Sequence, residues 1–258
     1  MNYIGIDIGS TCAKTVVLNE KKEIIQEFVQ PTGWSSVDTA EEIHQKLELA
    51  GINLSDDSSC CVATGYGRIS VPYADKTVTE ITCHALGAVH LFQQPDLTVI
   101  DIGGQDTKII QIEQGFVKDF IMNDKCAAGT GRFLEVMANT LSLRPNEMFD
   151  LARLGSDTTI SSMCTVFAES EVIGLIGKGE PKENIAYAVV NSTIRKVAAQ
   201  VSRMNDEMST FCLTGGLCEC EYIREALSKE LGKDVFSCPD ARYAGAIGAA
   251  LSAMKIRK

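Results

Sequence analysis

The fold is decided by a stretch near the start, residues 6–11 (IDIGST) followed by Lys14, which returns further along the chain. The second copy, residues 100–107 (IDIGGQDT), continues to Lys108, so Asp, Gly and Lys recur at the same spacing. A repeat of this kind is the sequence signature of a duplicated structural unit. The chain is therefore predicted to contain two lobes of similar plan.

Each copy is predicted to begin a run of three strands joined by hairpins. The second and third strands fit 15–18 and 23–30 in the first copy, and 109–112 and 116–122 in the second. Polar turns at 19–22 and 113–115 separate them. Helical periodicity covers 37–50, 82–92, 132–141, 146–154 and 185–204, and further strands are predicted at 59–64 and 210–214. The resulting class is α/β, with the cleft between two lobes as the expected ligand site.

The lobes are expected to divide the sequence near residue 95. Lobe I is predicted to span 1–95 and to carry the first hairpin. Lobe II is predicted to span 96–241 and to carry the second hairpin. A final helix at 242–258 is expected to pack back on lobe I.

The two hairpins have the chemistry of a phosphate site. Asp7 and Asp101 each end a strand just before a Gly-containing turn, which suits a magnesium-bound polyphosphate. A third turn, residues 213–217 (LTGGL), ends another strand before a helix, where α/β proteins bind a nucleotide base or ribose. A single Asp-x-Gly turn is a weak signal because such turns end many ordinary strands. Its duplication favours a clamp for phosphate.

Two of the ten cysteines stand apart from the others. Cys126 lies in a turn of small residues before a helix, and Cys164 lies just ahead of another helical run. The free N–H groups and partial positive charge of a helix start favour a thiolate there. Two cysteines are half of the ligands for a [4Fe-4S] cluster, and a two-fold dimer would supply the rest. From spacing alone, a nucleophilic thiol or two inert thiols remain open.

Composition restricts the partners. A formal charge of −10 argues against nucleic acid, because that affinity depends on clustered Lys and Arg. No apolar run approaches the roughly 20 residues that cross a bilayer, and no basic and apolar leader opens the sequence. We therefore expect a cytoplasmic protein without a membrane partner.

Reduced thiols are expected in that compartment, so most of the remaining cysteines are expected to pack as small apolar groups. These are Cys60, Cys61, Cys83, Cys212 and Cys238.

The three Gly-rich motifs, in this order, resemble those of the superfamily of acetate and sugar kinases, heat-shock 70 proteins and actin. The resemblance implies a two-lobed actin-like ATPase with duplicated βββαβα lobes, a central nucleotide cleft, and ATP or ADP with Mg²⁺ as ligand. It also implies that Asp7 and Asp101 hold the metal through its waters and that Gln105 orients the attacking water. The implied nucleotide-binding residues are Gly9, Ser10, Thr11, Lys14, Gly103, Gly104, Gln105, Asp106, Thr214, Gly215 and Gly216.

Residues 64–68, 101–106, 125–133 and 163–172 closely resemble the activators of 2-hydroxyacyl-CoA dehydratases, within the BadF/BadG/BcrA/BcrD ATPase family. This resemblance implies that Cys126 and Cys164 of two subunits bind one [4Fe-4S] cluster across a homodimer. It implies ferredoxin or flavodoxin as the electron donor and a dehydratase as the acceptor. ATP hydrolysis would drive the low-potential electron. Residues 218–220 (CEC) depart from the expected pattern of small or amide residues.

Three alternatives remain open at this point. One is the electron-activating ATPase of benzoyl-CoA reductase or of a double-cubane cluster protein, which the sequence does not separate from a dehydratase activator. Another is a small-molecule kinase for an amino sugar, which would need a catalytic base and a sugar pocket. The last, a structural actin-like or chaperone protein, leaves Cys126 and Cys164 without a purpose.

Overall fold

The computed structural model describes residues 1–161, 164–204 and 210–256. Met163 and the last two residues of the predicted helix 242–258 lie outside this part of the chain. The chain divides into two compact units. Unit 1 comprises Met1–Leu97, Ile112–Lys118 and Cys238–Lys258, and unit 2 comprises Thr98–Gln111 and Asp119–Ser237.

The first copy of the repeat builds a five-stranded sheet. Its elements are β1 (Asn2–Ile8), β2 (Cys12–Leu18), β3 (Ile24–Pro31), α1 (Ser36–Leu49), β4 (Ser59–Thr64), β5 (Lys76–Thr77) and α2 (Glu80–Phe92). The strand order is β3-β2-β1-β4-β5, with β1 antiparallel to β2 and parallel to β4. In this register Asp7 lies opposite Lys14 on one side and Thr64 on the other.

The second copy builds a sheet of the same plan. Its elements are β6 (Leu97–Ile102), β7 (Thr107–Glu113), β8 (Phe116–Asn123), α3 (Gly131–Thr140), α4 (Pro145–Ala152), α5 (Thr165–Gly177), α6 (Lys182–Val201), β9 (Thr210–Gly215), α7 (Glu221–Leu231) and β10 (Val235–Phe236). The last helix, α8 (Ala244–Ile256), follows them in the chain and belongs to unit 1. The strand order is β10-β9-β6-β7-β8. Both sheets therefore place their first strand at the centre, between the second and the fourth.

Some helix and strand boundaries differ from those predicted from hydrophobic periodicity, because a capping residue or a very short segment decides them. The predicted helix 185–204 begins earlier, at Lys182, because Pro181 takes the N-cap position, and it ends in a 3₁₀ turn at Ser202–Met204. The two-residue strands β5 and β10 escape prediction because so short a segment carries no alternation. In the described residues, no helix combines the length and apolar character needed to cross a membrane.

Unit 1 has apolar cores on both faces of its sheet. Ile4, Ile6 and Ile8 pack with α1 on one face. On the other face, α8 packs against β1, and its backbone approaches closely: a Cβ at Gly5 would lie 1.8 Å from the Ala246 carbonyl oxygen. The same holds between α2 and α8, since a Cβ at Gly248 would lie 1.7 Å from the Cys83 carbonyl oxygen. Any side chain at these glycines would displace the helix.

Candidate functional site

The first hairpin presents a buried carboxylate at the end of β1. Asp7 is 2% exposed, and the described residues offer its Oδ1 no hydrogen-bond partner. Lys14 Nζ lies 3.8 Å from Oδ2 on the other side of the carboxylate. A buried carboxylate oxygen without a partner is costly. The arrangement suits a cation or a water bound to a cation.

Glycines leave space around this carboxylate. Gly65 has a φ of +85°, and a Cβ there would lie 2.5 Å from Asp7 Oδ1. A Cβ at Gly245 would lie 2.6 Å from Asp7 Oδ2 and 2.8 Å from Cε1 of His84, which is itself buried. Side chains at these two positions would fill the cradle around Asp7. Its residues therefore fit a hydrated Mg²⁺ ion, and Asp7 is the side chain that would face it.

The second hairpin is held differently. Lys108, 1% exposed, lies 3.3 Å from Asp101 Oδ2 and 2.8 Å from Asp106 Oδ2. Thr214 donates to Asp101 Oδ1 at 2.8 Å, so both oxygens of Asp101 have partners. The turn closes where Gly103 N–H donates to the Asp106 carbonyl at 2.9 Å, and Gln105 is exposed at its tip. Asp101 is thus fixed in orientation, whereas Asp7 keeps one oxygen open.

Lys108 did not appear among the predicted binding residues, although its buried position makes it central to the second hairpin. The available signal was its recurrence at the spacing of Lys14 in the first copy. A buried ammonium is tolerated here because two carboxylates flank it.

The Thr214–Gly216 motif closes on the end of β6. Gly215 has a φ of +84°, and a Cβ there would lie 2.5 Å from the Ile102 carbonyl oxygen. The Gly216 N–H donates to the same carbonyl at 3.2 Å. Glycine is therefore required by both the positive φ and the close approach. Just beyond, Cys218 is buried, and burial raises the pKa of the Cys220 thiol at the N-cap of α7.

The second hairpin is hydrogen-bonded directly to the start of α3. The Gly131 N–H donates to the Gly103 carbonyl at 2.9 Å, and the Arg132 N–H donates to the Gly104 carbonyl at 2.8 Å. The first amides of α3 are thus satisfied by the hairpin rather than by a capping side chain. Any displacement of the hairpin backbone would be passed to α3 through these bonds.

The turn that contains Cys126 is tied to the same region. Asn123 Nδ2 donates to the carbonyls of Cys126 at 2.8 Å and Ala128 at 3.0 Å. Thr107, the first residue of β7, donates its hydroxyl to the Gly129 carbonyl at 2.6 Å. The backbone of this turn is therefore held by β7 and β8, through Thr107 and Asn123.

Both predicted cluster cysteines are exposed. Cys126 precedes α3, and Cys164 is the N-cap of α5, with its carbonyl accepting from the Ala168 N–H at 2.8 Å. Two accessible thiols near helix starts are suitable donors for an iron–sulfur cluster and amount to half of its four ligands. Within the residues described, three or more His, Cys, Asp or Glu side chains do not gather at one point.

The other cysteines expected to be structural have different surroundings. Cys60, Cys61, Cys83 and Cys212 are buried, while Cys238 is half-buried. Burial raises the pKa of Cys83 to about 12 and raises that of Cys61 strongly as well. These two thiols stay protonated at neutral pH and are poor metal ligands.

Comparison with known proteins gives a match over nearly the whole chain. The BadF/BadG/BcrA/BcrD ATPase family matches residues 4–253. The (R)-2-hydroxyglutaryl-CoA dehydratase activating ATPase of Acidaminococcus fermentans is 43% identical, over 98% of this chain and 96% of that protein. The activator of lactoyl-CoA dehydratase from Anaerotignum propionicum is 41% identical, over 98% of this chain and 97% of that protein.

Solved structures confirm the predicted fold class. The crystal structure of component A of the Acidaminococcus fermentans dehydratase matches with a TM-score of 0.91 at 40% identity, covering 100% of this chain and 99% of that one. A ROK family glucokinase from Streptomyces griseus shares the fold alone, with a TM-score of 0.61 at 17% identity, covering 99% of this chain and 100% of that one. The chain has the two-lobed α/β fold of actin-like ATPases and sugar kinases.

Proposed function

Because the chain belongs to the BadF/BadG/BcrA/BcrD ATPase family, we propose that it hydrolyses ATP to drive a low-potential electron from a [4Fe-4S] cluster into a 2-hydroxyacyl-CoA dehydratase. The relatives named above activate such dehydratases, and this supports a dehydratase as the partner. The observation that carries the proposal is the set of hydrogen bonds joining the second hairpin to α3 and to the turn of Cys126.

For the nucleotide, the proposal assigns phosphate binding to the two glycine turns. The N–H groups of Gly9 and Gly103 close these turns, so the backbone donors would come from residues 10–11 and Gly104. Lys14 would add charge, and the nucleoside would lie against Thr214–Gly216. Asp7 and Asp101 would hold Mg²⁺ through its waters. The open Oδ1 of Asp7 supports its part in this role. Asp106 would act indirectly, since it shares Lys108 with Asp101.

For hydrolysis, the proposal assigns Gln105 to orient the attacking water. The water oxygen bonds to the γ-phosphorus while the bond to the ADP oxygen breaks, and the water proton leaves with the inorganic phosphate. The exposed position of Gln105 at the hairpin tip supports this role, because its amide is accessible to solvent. A side chain buried in the hairpin could not reach a water.

For the electron, the proposal assigns Cys126 and Cys164 of two subunits to one shared cluster. When bound, such a cluster stores and releases a single electron, which a ferredoxin or flavodoxin would supply. The exposure of both thiols supports a location at a subunit surface. The protein's own contribution is to hold Cys126 in a turn whose backbone is bonded to the nucleotide-binding hairpin.

These contacts favour coupling over a simple ATPase. Two backbone N–H groups at the start of α3 donate hydrogen bonds to the hairpin, and the Thr107 hydroxyl at the start of β7 donates one to the turn that follows Cys126. Each such bond contributes about 1 kcal/mol net, so a change of hairpin position between nucleotide states would shift the turn as well. Nucleotide state would thereby control access to the cluster.

The test is activation of a dehydratase by the anaerobically purified protein. Wild-type protein with ATP and a reductant should activate (R)-2-hydroxyglutaryl-CoA or lactoyl-CoA dehydratase. Cys126→Ser should abolish activation, while Cys238→Ser should leave it intact. Activation by the Cys126→Ser variant would refute the electron-transfer role. Sugar-dependent release of ADP by the wild type would favour a kinase instead.

A further inference from the structure

Unit 2 contains a cavity of about 290 Å³ between α6, the start of α3 and the turn that follows Cys126. None of the residues that line it belongs to the hairpin residues 101–106 or to the Thr214–Gly216 motif. It lies next to the machinery already described without being part of the phosphate-binding turns. Its volume is near the lower end of the range for small-molecule sites.

The wall formed by α6 is positively charged. Lys196, Gln200 and Arg203 lie at helical spacing along one stripe of α6 and its 3₁₀ extension, and Arg195 borders them. Among the residues described, the structure gives none of the three cations an ion pair or a hydrogen bond. Arg195 and Arg203 are exposed and Lys196 is half-buried, so all three charges lie on one wall without a neighbouring carboxylate, within the described part of the chain, to neutralise them. They produce a local positive field where the rest of the chain is acidic.

Gln200 provides an independent sign of a missing ligand. Its side chain is only 5% exposed, and the part of the chain that the structure describes offers neither Nε2 nor Oε1 a hydrogen-bond partner. The two serines that line the cavity are satisfied: the Ser192 hydroxyl donates to the Val189 carbonyl at 2.7 Å, and the Ser161 hydroxyl donates to Glu171. Buried amides are normally hydrogen-bonded. Gln200 is thus a buried side chain of this cavity that lacks a partner among the described residues, and it lies at the centre of the basic stripe.

We propose that this cavity binds a small organic anion whose phosphate or carboxylate groups carry at least two negative charges. The guanidinium and ammonium groups match oxyanion oxygens. The Gln200 amide atoms are enclosed in this structure, and a rotation of the side chain would bring the amide nitrogen to one of those oxygens. Phe133, Ala128 and Ala199 line the remaining wall and fit a short apolar body. The inference is independent of ATP hydrolysis and of the cluster.

The position of the cavity gives the ligand a structural effect. A Cβ at Gly129 would lie 2.9 Å from Cγ of Lys196, so the Lys196 stem packs directly over the turn that follows Cys126. An anion that orders the Lys196 ammonium would also restrain this turn. If the proposed cluster is present, its ligand Cys126 lies three residues from that contact.

Calorimetric titration of the full-length protein tests the proposal, with and without saturating ADP and Mg²⁺ to fill the hairpins. Phenyl phosphate tests an organic phosphate and phthalate tests an organic dicarboxylate. Inorganic phosphate tests the phosphate group without an apolar body. We expect one of the two aromatic anions to bind at one site per chain, more tightly than inorganic phosphate, whether or not ADP is present. The aromatic anion that binds shows whether the site recognises a phosphate or a carboxylate.

Variants locate the binding. Lys196→Gln, Arg203→Gln and Gln200→Leu should each weaken it roughly tenfold, because each loses a charge-assisted or buried hydrogen bond. Lys229→Gln, the same charge change at an exposed position of α7, should leave it unaltered. The two cation variants alter surface side chains and test the site even if Gln200→Leu fails to fold. Absence of binding by both aromatic anions, unchanged affinity in Lys196→Gln and Arg203→Gln, or equal weakening by Lys229→Gln would overturn the proposal.

Discussion

Thr214 donates its hydroxyl hydrogen to Oδ1 of Asp101 at 2.8 Å, although 113 residues separate them in the sequence. The bond joins the end of β9 to the end of β6, its neighbour in the sheet. With Lys108 on Oδ2, it fixes the plane of the carboxylate. The Thr214–Gly216 motif and the second hairpin therefore share one buried contact.

The first prediction concerns this bond. Thr214→Val keeps the shape of the side chain but leaves Asp101 Oδ1 without its donor, so the free energy of unfolding should fall by roughly 1–3 kcal/mol. ATP turnover should fall about tenfold, because the carboxylate is no longer held in one orientation. Thermal unfolding and phosphate release would measure the two effects. Thr193→Val is a matched control, since the buried Thr193 hydroxyl has no hydrogen-bond partner among the described residues. Equal effects of the two substitutions would show that the bond is unimportant.

The second prediction separates catalysis from stability. Gln105→Ala removes an exposed amide at the hairpin tip, so unfolding should be unchanged. ATP hydrolysis should fall by roughly a hundredfold if Gln105 orients the attacking water. Asp101→Asn should also lower hydrolysis strongly, and neither variant should alter the absorption of the cluster. Gln45→Ala, on the exposed face of α1, serves as the control. Normal turnover in both hairpin variants would contradict the assigned roles.

The third prediction concerns iron content. Anaerobically purified protein should contain about four iron atoms per two chains, as one shared cluster requires. Cys126→Ser and Cys164→Ser should each remove the iron, whereas Cys60→Ser should retain it because that thiol is buried. Iron analysis with an absorption spectrum measures this. Four iron atoms in each monomer would be incompatible with the shared arrangement.

The fourth prediction concerns coupling. Bonds from Gly131, Arg132 and Thr107 connect the second hairpin region to α3 and the turn of Cys126. An iron chelator should therefore remove the cluster faster with ATP, or with ADP and aluminium fluoride, than without nucleotide. Asp101→Asn should abolish that difference. One chelation rate in every nucleotide state of the wild type would disprove the coupling.

The hairpins could be predicted from sequence because their signals are local. The Asp that ends each strand, the Gly after it and the recurring Lys all lie within a few residues. The contact between Thr214 and Asp101 could not be predicted, since it depends on β9 lying beside β6, a matter of strand order. The burial of Lys108 between two carboxylates likewise needs the folded hairpin.

The cavity beside α6 escaped prediction for a related reason. Lys196, Gln200 and Arg203 have helical spacing, but a polar stripe usually indicates a solvated face. Only the packing of α3 and the turn at Gly129 against that stripe encloses it. The positions of Cys126 and Cys164 ahead of helices, in contrast, were predicted from local sequence, and α3 and α5 begin after them.

The close packing of α8 against β1 and α2 has a consequence for folding during synthesis on the ribosome. Residues of α8 such as Ala246, Ile247 and Ala250 complete the apolar core of unit 1, yet they follow residues 119–237 of unit 2 in the chain. The first sheet to be translated must therefore wait, with one face uncovered, until most of the second unit has been made. During that interval the exposed face of β1 and β2 is the part of the nascent chain most in need of a chaperone.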